Sequence, residues 1–196
     1  MICAGTSDAF TIPLLNVTQE LDSTDISGHG LIQACLSSGN PPLLRRLIQR
    51  GVNLYQVNTQ GQTYLHVAAK LGANWSVKIL IDFAPELSNM RDYQGNTALM
   101  LAAAHGEWRT LVTLLPLTNR KLLTDNSGTS ILHETVYGGT KGVLQKVLAY
   151  CSANDICAMD STGRTSLEIA DVFKKGEFKR MILLRLEELR LEDGLM

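Results

Sequence analysis

Apolar residues in this chain recur on two scales at once. Within short stretches they fall three and four positions apart, as in Leu44, Leu47 and Ile48, Val77, Leu80 and Ile81, Leu111, Leu114 and Leu115, and Leu144, Val147 and Leu148. That is the spacing of one face of an α-helix. Each trio then returns 33 or 34 residues later. Five glycines, Gly28, Gly61, Gly95, Gly128 and Gly163, keep the same step, separated by 33, 34, 33 and 35 residues. A period of this length predicts stacked supersecondary units, each unable to bury its apolar face alone.

The polar positions between the trios predict how each unit is built. Three residues before each periodic glycine stands Asp25, Asn58, Asp92, Asp125 or Asp160. Asp/Asn-x-x-Gly is turn chemistry, in which the short polar side chain bonds nearby backbone and glycine takes a positive φ at little steric cost. Two residues after the glycine comes Thr63, Thr97, Ser130 or Thr165, placed to cap the N-terminus of a first helix. Ala68, Ala69, Ala102 and Ala103 let neighbouring helices approach closely, and Gly39, Gly72, Gly106 and Gly139 are expected to end the first helices as C′ residues. The apolar trio then supplies a second helix.

The stretches GQTYLHVAAKLG from Gly61, GNTALMLAAAHG from Gly95, GTSILHETVYGG from Gly128 and GRTSLEIAD from Gly163 resemble the ankyrin-repeat signature D-x-x-G-x-T-P-L-H-x-A-A-x-x-G. GHGLIQACLSSG from Gly28 keeps the spacing with weaker residues. The resemblance covers roughly residues 25 to 190 and implies an all-α ankyrin-repeat solenoid of stacked helix pairs joined by β-hairpin turns. It divides the chain into a partial repeat or cap at 1–24, a degenerate repeat at 25–57, repeats at 58–91, 92–124 and 125–159, and a fifth at 160–196 that includes a C-terminal capping helix. It also implies that His66 and His133 bridge the backbone of neighbouring hairpin turns.

Departures from the signature carry their own expectations. Tyr64, Ala98, Ile131 and Ser166 replace a proline that would pre-set φ in the first helical turn, so each repeat is modestly weakened. Thr135 and Val136 put β-branched bulk where two alanines are usual, which predicts the fourth repeat as the least well packed internal one. Gly30 in the capping position and Pro41-Pro42 at the entrance to a second helix predict fraying of the first repeat. From Gly176 the chain reads as a charged amphipathic helix with Phe178, Ile182, Leu186 and Leu189 on one face.

Composition narrows the function classes. The chain has 196 residues, 45% of them hydrophobic, and a formal net charge of −1. No Lys/Arg block offers a footprint for a phosphate backbone, so nucleic acid is not an expected partner. Cys3, Cys35, Cys151 and Cys157 lack zinc-site spacing and read as reduced thiols. No signal-peptide pattern opens the chain, and no uncharged apolar run approaches the ~20 residues of a membrane span. The expectation is a monomer in isolation, without membrane insertion, in the cytoplasm and/or nucleus, with no metal, cofactor or catalytic group.

What remains is a binding surface for another protein. In a repeat array the hairpin tips and the inner face of the first helices form one continuous concave surface. Gln60, Tyr93, Gln94, Asn126 and Ser127 are expected at the tips, and Lys70, Leu71, His105 and Tyr137 at exposed first-helix positions beside the groove. Tyr93 and Tyr137 are the anchor candidates, since tyrosine gives rigid contact area with a polar tip. Two modification motifs follow from the family resemblance. Asp22–Ser27 resembles the D-S-G-x-x-S phosphodegron of inhibitor-of-κB proteins, with Ser23 and Ser27 as the phosphorylated positions but Thr24 in place of its glycine. Asn89 stands six residues before Gly95, a hairpin position at which ankyrin asparagines are hydroxylated. An adaptor or inhibitor is the first functional expectation, and a targeting domain of a larger catalytic or channel protein is the alternative.

Overall fold

The computed structural model describes residues 31–119 and 123–192. The expected segment 1–24, the turn around Gly28, Ser23 and Ser27 lie outside the described residues. Among those described are eleven α-helices, one 3₁₀ turn and no strand. Five helix pairs account for ten of the helices: α1 (Leu31–Ser38) with α2 (Pro41–Gln49), α3 (Tyr64–Lys70) with α4 (Asn74–Phe83), α5 (Ala98–Ala104) with α6 (Trp108–Leu114), α7 (Ile131–Gly138) with α8 (Lys141–Tyr150), and α10 (Ser166–Val172) with α11 (Gly176–Glu192). The short α9 (Ala153–Cys157) intervenes between the fourth and fifth pairs.

First helices pack on first helices in chain order, and second helices form a parallel layer outside them. One apolar core runs through the stack. Leu44, Leu47, Leu65, Leu80, Leu99, Leu111, Leu114, Leu132 and Leu144 are all essentially inaccessible, as the periodic trios require. Ala68, Ala69, Ala102 and Ala103 are fully buried in the seam between first helices.

The turns form as their residues dictate. Asn58 Oδ1 accepts from the amides of Gln60 and Gln62, and Asp92 Oδ1 accepts from Gln94 and Asn96. Asp125 and Asp160 repeat the pattern. Each hairpin is closed by a backbone pair such as Asn58 N to Gln62 O at 3.0 Å. Isolated bridges join Val57 to Thr63, Thr124 to Ser130 and Met159 to Thr165.

Gly139 departs from expectation. Gly39, Gly72 and Gly106 are left-handed, but Gly139 has φ −73°. Its demand is space: a Cβ there would lie 2.6 Å from the Thr135 carbonyl oxygen and 3.0 Å from that of Ala103. Neighbouring Gly138 is tighter still, because a Cβ would overlap the Ala104 carbonyl oxygen. The two glycines let α7 lie against the end of α5, and Thr135 and Val136 are fully buried in that seam. Thr135 satisfies its hydroxyl by donating to Ile131 O at 2.8 Å. A cavity of about 70 Å³ lies beside α7 instead, lined by Leu115, Leu123, Ile131, Val147 and Cys151 among others.

In the first pair, Pro41 and Pro42 occupy the first two positions of α2, where a missing amide costs nothing, and Asn40 caps the helix by accepting from Leu43 N. In the last pair, Lys174 takes the left-handed position with φ 55°. Lys175 Nζ then donates to the carbonyls of Val136 and Tyr137 at 2.6 and 2.9 Å, capping the C-terminus of α7 from the next repeat.

Candidate partner-binding surface

The hairpins are knitted to one another before they are available to anything else. Tyr93 N donates to Gln60 O at 3.1 Å, Asn126 N to Gln94 O at 3.0 Å, and Ser161 N to Ser127 O at 2.8 Å. One backbone bond thus links each tip to the next, and the tips form a single row. Gly61 is what allows the first of these contacts. It adopts φ +75°, and a Cβ would run into the ring of Tyr93, which lies flat against it.

Beneath the tips two histidines secure the row. His66 is fully buried, and its Nδ1 accepts from the Thr63 amide at 3.2 Å. Nε2 therefore carries the proton and donates to Asn96 O, 3.0 Å away in the following hairpin. His133 does the same between Ser130 and Arg164 O. Burial holds both imidazoles below their ordinary pKa, although Asp92 and Asp160 pull the other way. The third repeat has Met100 at the histidine position, fully buried. There Arg91 takes over, its Nη1 reaching Gly95 O at 2.7 Å and Thr124 O at 2.6 Å. In the fifth repeat Glu168 stands in the same place and accepts from the Thr165 amide, which with the Thr165 hydroxyl keeps its carboxyl below the usual range.

Gln60, Gln94, Asn126 and Ser127 are exposed along the tips, and Tyr93 is 70% exposed. Asn126 also donates its side-chain amide to Tyr93 O at 3.2 Å, tying the tip of the fourth repeat to that of the third. Ser127 turns its hydroxyl onto Asp125. Lys70, Leu71 and His105 are exposed at the ends of the first helices, with Leu71 50% accessible. His105 directs Nδ1 to Leu101 O in its own helix.

Two residues sit differently from expectation. Tyr137 is half-buried, its ring edge-on to Phe173 with centroids 5.4 Å apart. The fifth repeat's first helix covers it, a contact that repeat spacing alone does not disclose. Asn89 is exposed but belongs to the 3₁₀ turn Pro85–Asn89 and not to a hairpin tip, and its side-chain oxygen accepts from Asn119 N at 2.8 Å. It links two inter-repeat connections. Val172 and Phe173, more than half exposed, continue the apolar ends of the first helices past Tyr137. Sequence reasoning passed over both, and their register with Lys70 and Leu71 is the signal that would have found them.

A family model described as ankyrin repeats, in three copies, matches residues 31–120. Those residues are ankyrin repeats. The array also resembles a probable E3 ubiquitin-protein ligase, XBOS32, of Oryza sativa subsp. japonica, at 33% identity over 126 residues, 63% of this chain and 25% of the relative. It is 31% identical over 113 residues to NF-kappa-B inhibitor delta of Mus musculus, covering 57% of this chain and 35% of that one. A transient receptor potential cation channel subfamily A member 1 homolog of Caenorhabditis elegans is 37% identical over 79 residues, 40% of this chain and 6% of the channel. The chain therefore spans about a third or less of the length of these relatives. What they share with it is the ankyrin array, a fold that serves in general as a protein-interaction module.

Proposed function

We propose that the chain holds a partner protein on its row of hairpin tips and the adjoining ends of the first helices, as an adaptor or inhibitor without chemistry of its own. The observation that carries the reading is the exposed aromatic and apolar series Tyr93, Leu71 and Phe173 on backbone fixed from repeat to repeat. A rigid, pre-ordered surface with an aromatic anchor loses little entropy on binding. The residues that could suggest catalysis are occupied by the fold, since both buried histidines bridge hairpins. Burial raises Cys35 to a pKa of about 11, so its thiol is a packed apolar group and not a nucleophile; the cytoplasm or nucleus is the proposed setting.

Affinity capture with the wild type and with Tyr93→Ala/Leu71→Ala tests this. The reading expects a partner retained by the wild type and lost by the variant at unchanged melting temperature. Equal capture by both proteins would refute it. A second reading, that the array is the recognition segment of a larger protein, is favoured by the small share of each relative that it spans.

A further inference from the structure

Four of the five second helices are poor in carboxylates. Helices α2, α4, α6 and α8 carry Arg45, Arg46, Lys78, Arg109, Lys141 and Lys146, and a single carboxylate, Asp82. The whole chain has a net charge of −1, and the fifth second helix, α11, balances four basic residues with four acids, so the carboxylate-poor part of the layer is α2, α4, α6 and α8. All six are exposed. Of these six, only Lys141 meets a carboxylate among the described residues, that of Glu177.

Both tryptophans of the chain lie in the same layer. Trp75, in the first turn of α4, is 71% exposed, and Trp108, at the start of α6, is 40% exposed. Lys78 Nζ stands 5.3 Å from the Trp75 ring centroid, and Lys146 Nζ stands 5.4 Å from that of Trp108. Trp108 lies over Gly142 of α8. Arg109 occupies in its repeat the position of Trp75, three residues after the helix-ending glycine. The two therefore adjoin, and with Pro41 and Ala73 they line an open recess of about 410 Å³. Glu107 folds its carboxylate over Gly72, which also lines the recess, in the turn between α3 and α4.

We infer that this outer face is a second docking surface, separate from the hairpin row, for an acidic segment of a partner protein that carries an apolar anchor residue. The charge selects the partner: unpaired cations beside exposed indoles attract carboxylates over a distance set by the ionic strength and suppress basic partners. The open recess receives the anchor against Trp75. Its cationic rim takes the flanking acids through Lys78 and Arg109. A hairpin-bound partner leaves this face open, so both surfaces can be engaged together.

Because Trp75 and Trp108 are the only tryptophans, tryptophan emission excited beyond the tyrosine absorption band reports on this face. The test titrates the intact chain with a synthetic peptide alternating Glu and Leu, and with the same peptide bearing Gln for Glu. The expected result is a saturable change in emission with the Glu peptide, weakened about tenfold between roughly 50 and 300 mM salt, and little response to the Gln peptide. Lys78→Glu/Arg109→Glu should abolish it and Trp75→Ala should weaken it about tenfold, both with unchanged melting curves. Tyr93→Ala should leave it as in the wild type, which separates this surface from the hairpin row. Equal response to both peptides, or indifference to the charge reversal, would overturn the inference. So would emission changes obtained only with phosphatidylserine vesicles, which would make the face a lipid surface. A concentration-dependent dimer lost in Trp75→Ala would give the face to a second copy of the chain and overturn it equally.

Discussion

Replacing His66 by methionine asks what holds one ankyrin hairpin to the next. The substitution keeps apolar volume but removes both ring nitrogens. Thr63 N–H loses its acceptor at 3.2 Å, the Thr63 hydroxyl its partner at 2.8 Å, and Asn96 O its donor at 3.0 Å. All three lie in residues with at most 6% exposure, so water does not replace the ring. A buried group left without a partner costs roughly 1–3 kcal/mol, and with partial relaxation the sum is about 2–4 kcal/mol. That is a large part of the ~5–15 kcal/mol a domain has in total. Met100 supplies the internal control. It already stands at the corresponding position, with Arg91 making the inter-hairpin bonds. Arg91→Met should cost less than His66→Met, since Thr124 O is exposed and water can replace the guanidinium there. Urea unfolding at pH 7.5 measures both, and hydrogen exchange at Thr63 should accelerate in His66→Met. A loss under about 0.5 kcal/mol would refute the view that these bonds, and not apolar packing alone, fix the row of hairpins.

Three further outcomes follow. Burial holds His66 and His133 below their ordinary pKa, whereas the unfolded imidazoles titrate near ~6.5, so the unfolded chain binds more protons below that pH. Unfolding free energy should fall as pH drops from about 6.5 until the folded-state pKa values are passed. His66→Met/His133→Met should flatten that slope, and a wild-type profile flat from pH 7 to 5 would contradict it. Burial raises Glu134, which works oppositely: its contribution is present at low pH and is lost as pH rises through its folded-state value, so Glu134→Gln should be more stable than wild type near neutral pH by denaturant titration. Gly138→Ala places a methyl on the Ala104 carbonyl and should cost on the order of 1–3 kcal/mol in the same titration, since backbone must move.

Much of the array was legible because the chain repeats itself. The helix pairs, the Asx turns at Asn58, Asp92, Asp125 and Asp160, and the alanine seam all rest on local chemistry printed several times at one spacing. The parts that were not legible depend on contacts between unlike repeats. Tyr137 reads as an exposed groove residue until α10 brings Phe173 against it. Asn89 reads as a hairpin residue because counting back from Gly95 cannot register the 3₁₀ turn that Pro85 starts. Gly139 reads as a left-handed helix-ending residue, whereas the structure uses it, with Gly138, to admit the carbonyls of α5. Arg91 carried no signal, and only the absence of a histidine at Met100 hinted that something else bridged the third hairpin. The candidate surface was visible in outline, as tip positions, and its apolar continuation through Val172 and Phe173 required the register of the last repeat.

If the hairpin row holds the partner, binding and folding separate by position within the repeat, and two variants measured side by side show it. Ala102→Leu enlarges a fully buried side chain in the seam between first helices and should cost about 1–3 kcal/mol. Tyr93→Ala removes a ring that is 70% exposed at a hairpin tip. Its melting temperature should match the wild type within about a degree, while affinity for the captured partner falls by about 2 kcal/mol, roughly thirtyfold. If Tyr93→Ala melts as early as Ala102→Leu, or binds the partner as tightly as the wild type, the hairpin row is not the binding surface.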